Sequence, residues 1–566
     1  MKKVIYLIAI FSPFLFGSCN DDFLERAPLD EISEPEFWLT TGDLELYATA
    51  FYQDLPGWQG VSVGSSPSPD NGTDLSMGTT GGGRLYGTGS IPTVATTALW
   101  GWTKVRKANY FISNVSKVTG TQTDINQYTG EAYFFRAYYY FDLLQKYGDL
   151  PIYKEYFGSL DTDELYKARD PRNEVADFIL ADLDLAISLL KAKSALTTPR
   201  INKEAAQLLK ATVALYEGTW EKYHAGTAFG VTGSTGTTYL QQAADASSAL
   251  IAGNTRSLSA SYGDLFNQTT LATNTEIILW RQYDFLGLGS SFGNALQLSW
   301  PNASSYTRFA MRSYLCTDGQ PISTSPLYQG DLSLTKIETN RDPRLAATVM
   351  VPGDIVTIAA NGTITYFVKP TITGTYASVG GYESQKYRRP QVDVTTGSQS
   401  RDVSKIIMRY AEALLIYAEA KAELGTITQS DLDISINKLR ARVGMPSMNL
   451  ASITNDVNWP QYGYTLTPIL QEIRRERTVE LMNEGFRLDD LMRWAAHSLL
   501  IGQNVKGAYY ETGWTTGQNK DTDNYLDPYQ KSYPGGFDFN PDRDYLLAIP
   551  STELILNTNL TQNPGW

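Results

Sequence analysis

Residues Ile406 to Leu424 carry two apolar stripes at helical spacing, Tyr410-Leu414-Tyr417-Leu424 and Ala411-Leu415-Ala418-Ala422, and leave Glu412, Glu419 and Glu423 on a third side. A helix that is apolar on two sides has to be covered on both, so this segment belongs inside a stack of helices. The chain supplies partners for it. Helical periodicity runs from about Trp100 to Val115 and from about Gln127 to Lys146. A third helix opens at Asp170-Pro171, a capping residue followed by a first-turn proline, and runs Val175, Ile179, Leu183, Ala186, Leu190 along one face. Ala205, Leu208, Leu209, Thr212, Tyr216 and Trp220 mark a fourth from near Asn202; Leu240, Ala243, Ala244, Ser247 and Leu250 mark a fifth; the last strong helix covers about Pro468 to Ala496. Short connections predict a solenoid of helix pairs, although their spacing is less even than a strict repeat of about 34 residues.

Between the helices lie stretches that no helix explains. Gly60 to Thr97 is rich in Gly, Ser, Thr and Pro; Thr255 to Arg401 mixes strand-like runs such as Glu276-Ile277-Ile278-Leu279-Trp280 with many turns; Gly502 to Tyr545 is aromatic and polar. Loops this long in a compact protein are functional or disordered, and their Tyr and Trp content favours order. No Pro-rich or charged linker divides the chain, so residues 19–566 read as one mainly α-helical body with few short strands. Its helical scaffold is expected at about 100–255 and 404–497, and its irregular portions at about 55–99, 256–403 and 500–545.

Lys2 and Lys3 followed by the apolar run Val4 to Phe16 read as an export signal over residues 1–18, the run being too short to span a bilayer, which takes roughly 20 apolar residues. Phe16-Gly17-Ser18-Cys19 resembles a lipobox, with Phe where an aliphatic residue is usual, and makes Cys19 the expected lipidation site; an ordinary signal peptide with an incidental cysteine is the alternative. Two acyl chains on that cysteine would anchor the protein stably. Asn20-Asp21-Asp22 resembles the export tag of surface lipoproteins in Bacteroidota. Losing Lys2 and Lys3 with the leader takes the net charge from −13 to −15, which argues against nucleic acid and anionic lipid as partners. Cys316 is the only other cysteine and His224 and His497 are the only histidines, so disulfide frameworks, zinc sites and Ser-His-Asp chemistry are poorly supplied. Cys316 reads as a small buried hydrophobe.

Gly130-Glu131-Ala132-Tyr133-Phe134-Phe135-Arg136-Ala137-Tyr138-Tyr139-Tyr140-Phe141, followed by Tyr147-Gly148-Asp149-Leu150-Pro151, closely resembles a signature of the SusD (RagB/SusD) family of outer-membrane nutrient-binding lipoproteins. Matches continue in order with Arg409-Tyr410-Ala411-Glu412-Ala413-Leu414-Leu415, Asn437 to Arg442, Glu476-Arg477 through Glu480, Glu484-Gly485-Phe486-Arg487, and Asp490-Leu491-Met492-Arg493-Trp494. The chain closes on Ile549-Pro550, Glu553 and Gln562-Asn563-Pro564-Gly565-Trp566, with Trp where the family more often has Tyr. Read from the residues alone, these motifs are scaffold. Ile473, Arg477, Glu480, Leu481, Glu484, Leu488 and Leu491 share one face of a helix, and charges on an apolar face have to be paired internally. Arg477 with Glu480, and Asp489 or Asp490 with Arg493, have the spacing for it. The competing reading makes Glu480 and Glu484 the carboxylate pair of a glycosidase, and their arginine-rich apolar setting argues against it. Glu131 and Arg136 are read the same way, and Trp100 and Trp102 as core.

A glycan offers an apolar ring face and a rim of hydroxyls, so its site needs aromatic planes beside Asp, Asn, Arg or Gln, held on loops by a rigid frame. The resemblance implies a ligand face built from the loops before the first helix pairs and from the irregular middle region. On this chain that points to Asp70, Asn71, Asp74, Arg84 and Tyr86, and to Tyr283, Phe285, Trp300, Tyr306 and Arg308. Trp300 leads, since it follows a Gly- and Ser-rich run and precedes Pro301-Asn302. These loops vary within the family, and an ordinary packed or solvent-facing place is the commoner fate of any one such position. Arg341-Asp342-Pro343-Arg344-Leu345 also recurs in the family and reads as a turn. The resemblance further implies about four tetratricopeptide-like helix pairs and a place on the outer face of the outer membrane. There the protein would capture a glycan, without cofactor, for a SusC-like TonB-dependent transporter. No EF-hand loop or other ligand spacing supports a bound calcium ion. A peptide-binding uptake lipoprotein and an α-helical glycoside hydrolase are the alternatives.

Overall fold

The structure, a computed structural model, describes residues 37–58, 69–78, 81–94, 99–158, 160–283, 304–374, 377–391 and 403–566. A first run of helices comprises α1 (Thr41–Phe51), α2 (Thr103–Asn114), α3 (Gln122–Tyr147), α4 (Arg172–Leu189), α5 (Lys203–Tyr223) and α6 (Thr237–Ala252). The short α7 (Arg308–Ser313) lies in the irregular middle, and α8 (Tyr410–Glu423), α9 (Ile436–Arg442), α10 (Pro468–Glu480) and α11 (Arg487–Arg493) follow it. Helices α2 to α6 pack each on the next, and α8 returns after the long middle excursion to lie on α6 and α5, with α10 on its other side. This is the place that two apolar stripes demand: Lys421 alone among the residues of α8 is not buried. The fold is mainly helical. Among the described residues three small antiparallel ladders complete it: β1 (Ser76–Gly78) with β3 (Ser304–Tyr306), β2 (Ile277–Arg281) with β6 (Lys405–Arg409), and β4 (Ile355–Ile358) with β5 (Ile364–Tyr366).

Local chemistry sets the helix ends. Thr121 Oγ1 accepts the Asp124 N–H to open α3, and Gly148, at a φ of +72°, ends it. Asn202 Oδ1 accepts the Ala205 N–H at 3.0 Å to open α5. The start of α4 differs from the sequence expectation. Asp170 does not cap it; its carboxylate takes the Ile152 N–H at 2.7 Å, and the first free amide of the helix, that of Arg172, donates to Asp149 at 2.9 Å. The Tyr147-Gly148-Asp149-Leu150-Pro151 motif thus stops one helix and caps the next.

Two further segments differ. Residues 405–409 are the strand β6, paired with β2, and the helix starts only at Tyr410, where Glu412 takes the Arg409 N–H at 2.7 Å. The long helix expected from Pro468 to Ala496 is broken between α10 and α11, where Asn483 and Gly485 adopt φ of +62° and +94°. Glu484, Leu488 and Leu491 therefore do not continue the face of α10. Arg477 accordingly pairs across the break with Asp490 at 2.8 Å instead of with Glu480, while Asp490 and Arg493 pair at 2.9 Å.

Candidate ligand-binding face

The frame behind the irregular face is a lattice of buried charges. Glu480, fully buried, accepts from Arg409 Nη1 at 2.7 Å, Arg442 Nη2 at 2.6 Å and Arg344 Nη1 at 3.0 Å. Arg409 also reaches Glu484 at 2.7 Å and Glu276 at 2.9 Å, and Lys386 closes on Glu484 at 2.7 Å. Burial alone would raise the pKa of both glutamates, but the neighbouring cations outweigh it and hold both below the usual carboxylate range. Burial pushes Lys386 down to about 8 against the pull of Glu484. A carboxylate held ionised and away from water is a poor proton donor, so Glu480 and Glu484 do not meet the requirements of a glycosidase acid and its partner. Glu131 and Arg136 are spent in the same manner, on Arg200 and Asp182 at 2.7 Å each. His224 is stacked on Trp220 at 4.1 Å, and its Nε2 lies 2.8 Å from the Met492 carbonyl oxygen; burial pushes its pKa down to about 3. A neutral Nε2–H donating to that carbonyl accounts for the contact.

Most of the loop residues expected to face a ligand are turned inward. Asp70 is 1% exposed and takes the Arg487 N–H at 3.2 Å; burial raises its pKa to about 6. Asp74 pairs with Arg487 at 2.6 Å. Tyr86 is 3% exposed, its ring centred 4.5 Å from Tyr533 and 4.7 Å from Phe537. Arg84 donates to the carbonyls of Asp544 and Tyr545. Tyr306 is 2% exposed, its hydroxyl 3.0 Å from Ser384 Oγ. These rings and charges pack one loop against another, Tyr86 with Phe537 as part of the main apolar core and Tyr306 as part of a second, smaller one. Asn71 is exposed. Half-buried Arg308 pairs with Asp331 at 2.7 Å, lies 3.8 Å over the ring of Tyr525, and lines a cavity of about 500 Å³ together with Asp74, Arg312, Gln461, Asn504 and Lys506. Trp300, Phe285 and Cys19 lie outside the described residues.

Tyr283 does something else. Its hydroxyl accepts the Trp58 N–H at 2.7 Å, and the Trp58 indole N–H donates to the Val403 carbonyl at 2.9 Å. Lys405 Nζ donates to the Gly57 carbonyl at 3.0 Å, and Arg281 Nη1 to that of Leu55 at 3.0 Å. Trp58 belongs to the irregular stretch 55–99, and Tyr283 and Val403 to the irregular stretch 256–403, both of them regions expected to form the ligand face. Three distant stretches of chain are therefore knotted at one joint. The sequence shows the rings but not the joint, whose bonds span 225 and 345 residues.

Residues 275–566 match the SusD family, more than half of the chain. The chain belongs to the SusD family. A second family description, "Starch-binding associating with outer membrane", matches residues 94–215 of this SusD-family protein. It is 25% identical to SusD-like protein P2 of Formosa agariphila over 581 aligned positions that take in the whole of both chains. Among solved structures, a SusD-like carbohydrate binding protein from Bacteroides fragilis aligns with a TM-score of 0.72 at 22% identity, over 93% of this chain and all of the other. A laminarin binding SusD-like protein aligns with a TM-score of 0.56 at 21% identity, over 94% of this chain and all of the other. At these identities the structural likeness is one of fold.

Proposed function

We propose that this SusD-family protein is a cell-surface lipoprotein, anchored through Cys19, that holds a glycan without cleaving it and hands it to a SusC-like TonB-dependent transporter of the outer membrane. Support comes from the family description that pairs starch binding with the outer membrane and from the laminarin-binding relative of the same fold. The observation that carries the reading is the joint of Trp58, Tyr283 and Val403. It ties the stems of the irregular segments to a lattice of buried charge, which is how a loop-built site is held in register. In this reading Asp70, Arg84, Tyr86, Tyr283 and Tyr306 position the loops. Asn71, Arg308 and Trp300 are the proposed ligand contacts, the last from its sequence setting alone. Among the described residues no helix is long and apolar enough to cross a membrane.

Titrating the mature chain against a panel of polysaccharides and peptides, read by tryptophan fluorescence, tests this. Saturable change with a glycan and none with peptides is expected, and Trp300→Ala should weaken the glycan by at least about tenfold while leaving the melting temperature in place. Binding to peptides alone would overturn the reading, and unchanged glycan affinity in Trp300→Ala would remove that residue from the site.

A further inference from the structure

Trp102 precedes the first turn of α2, and its half-buried ring borders two hollows on the scaffold. One, of about 280 Å³, lies among Arg106, Tyr153, Glu155, Tyr156 and Phe157. The other, of about 630 Å³, lies among Asp54, Trp100, Lys104, Tyr138, Tyr139 and Asp142. Trp102 and Thr103 border both, so the hollows are one interrupted groove. Its walls are already fixed. Asn109 Nδ2 donates to the carbonyls of Tyr153 and Glu155 at 2.9 Å each, which pins the outer wall to α2, and Arg106 lies 4.4 Å over the Tyr156 ring. Trp102 is braced edge-on by Trp100 and Tyr153 at 5.5 and 5.1 Å. On the other side Tyr139 donates to Asp54 at 2.8 Å and Lys104 reaches the same carboxylate at 3.1 Å.

Two features define what fits. Flat rings alternate with hydroxyl, carboxylate and amine groups, the mixture a pyranose recognises with its apolar face and hydroxyl rim. The charges cancel: Arg106, Lys104 and Lys146 face Glu155, Asp54 and Asp142, so a sulfated or uronate chain gains no net attraction. The groove also starts beside the loop joint, because Asp54 precedes Trp58 by four residues, a reach of at most about 14 Å.

We propose that this groove binds the uncharged pyranose units of a polymeric glycan beyond the part held by the loops, an inference that rests on the glycan-binding reading. The ligand is then a chain long enough to engage both places at once, and the second engagement adds affinity through effective concentration.

The test compares starch and laminarin with their three-unit fragments, using the mature chain, Trp102→Ala and the more exposed Tyr156→Ala, each checked for an unchanged circular dichroism spectrum. Both variants should lose at least about tenfold in affinity for whichever polymer binds and stay within about twofold for its fragment. Polymer affinity unaltered in Tyr156→Ala, or fragment affinity falling in step with the polymer, would overturn the groove while leaving the glycan-binding reading in place. A preference for acidic over neutral polymers would overturn its ligand class. No binding of any glycan by the unaltered chain would instead remove the functional reading, and the groove with it.

Discussion

Replacing Glu480 with glutamine separates a structural carboxylate from a catalytic one. The change is isosteric and removes one negative charge from the centre of three guanidiniums. Arg344 would keep Asp342 at 2.7 Å and Glu476 at 2.7 Å, Arg409 would keep Glu484 at 2.7 Å and Glu276 at 2.9 Å, and Arg442 would keep Glu276 at 3.3 Å. Removing one member of a buried ion pair costs about 3–5 kcal/mol, and since each arginine retains another carboxylate the loss should fall near the lower end, about 3 kcal/mol. Urea unfolding of both proteins, followed by tryptophan fluorescence, measures it. The pH dependence follows from the depressed pKa of Glu480: its contribution is present above the ordinary glutamate value of 4.5 and is lost as pH falls through the lower folded value. The gap between the two proteins should therefore hold from pH 8 to about pH 5 and close only in stronger acid. A loss below about 1 kcal/mol, together with the disappearance of a polysaccharide-cleaving activity, would refute the structural assignment.

Glu412 has the opposite sign. Burial pushes its pKa up to about 8, so the folded state holds a proton that the unfolded chain releases near 4.5, and stability falls as pH rises between these values. Glu412→Gln should be more stable than the unaltered chain at pH 8 and lose that advantage towards pH 4.5, as thermal melts across the range would show. Gly485→Ala should cost about 1–2 kcal/mol from its left-handed backbone alone, because φ is +94°. The new Cβ would also stand 2.9 Å from that of Pro69, so a weaker glycan titration should accompany the lower melting temperature.

The helical frame was legible because periodicity reports burial directly. The two stripes of α8 predicted coverage on both sides, and α8 lies between α6 and α10. Charged residues on apolar faces also declared themselves as internally paired, as Glu131, Arg136 and Arg493 are. The identity of the partners was not legible. Arg477 has Glu480 at helical spacing, but the backbone turns at Asn483 and Gly485 and delivers Asp490 to it instead. In the loops no period distinguishes a ring that packs from one that waits for ligand. Tyr86, Tyr283 and Tyr306 stand in Gly- and Ser-rich surroundings that suggest exposure, yet each is buried against chain far away in sequence. Trp102 shows the reverse: its helical setting suggested core, and its ring is half-buried between two hollows.

Holding a glycan intact is the central claim, and prolonged incubation of the mature chain with a polymer it retains tests it most directly. Bound and free polymer would be sized by chromatography, with new reducing ends counted over days. The account predicts that the polymer is recovered from the complex at its original length, with no reducing ends beyond those in buffer. Progressive shortening that depends on the folded protein would contradict it.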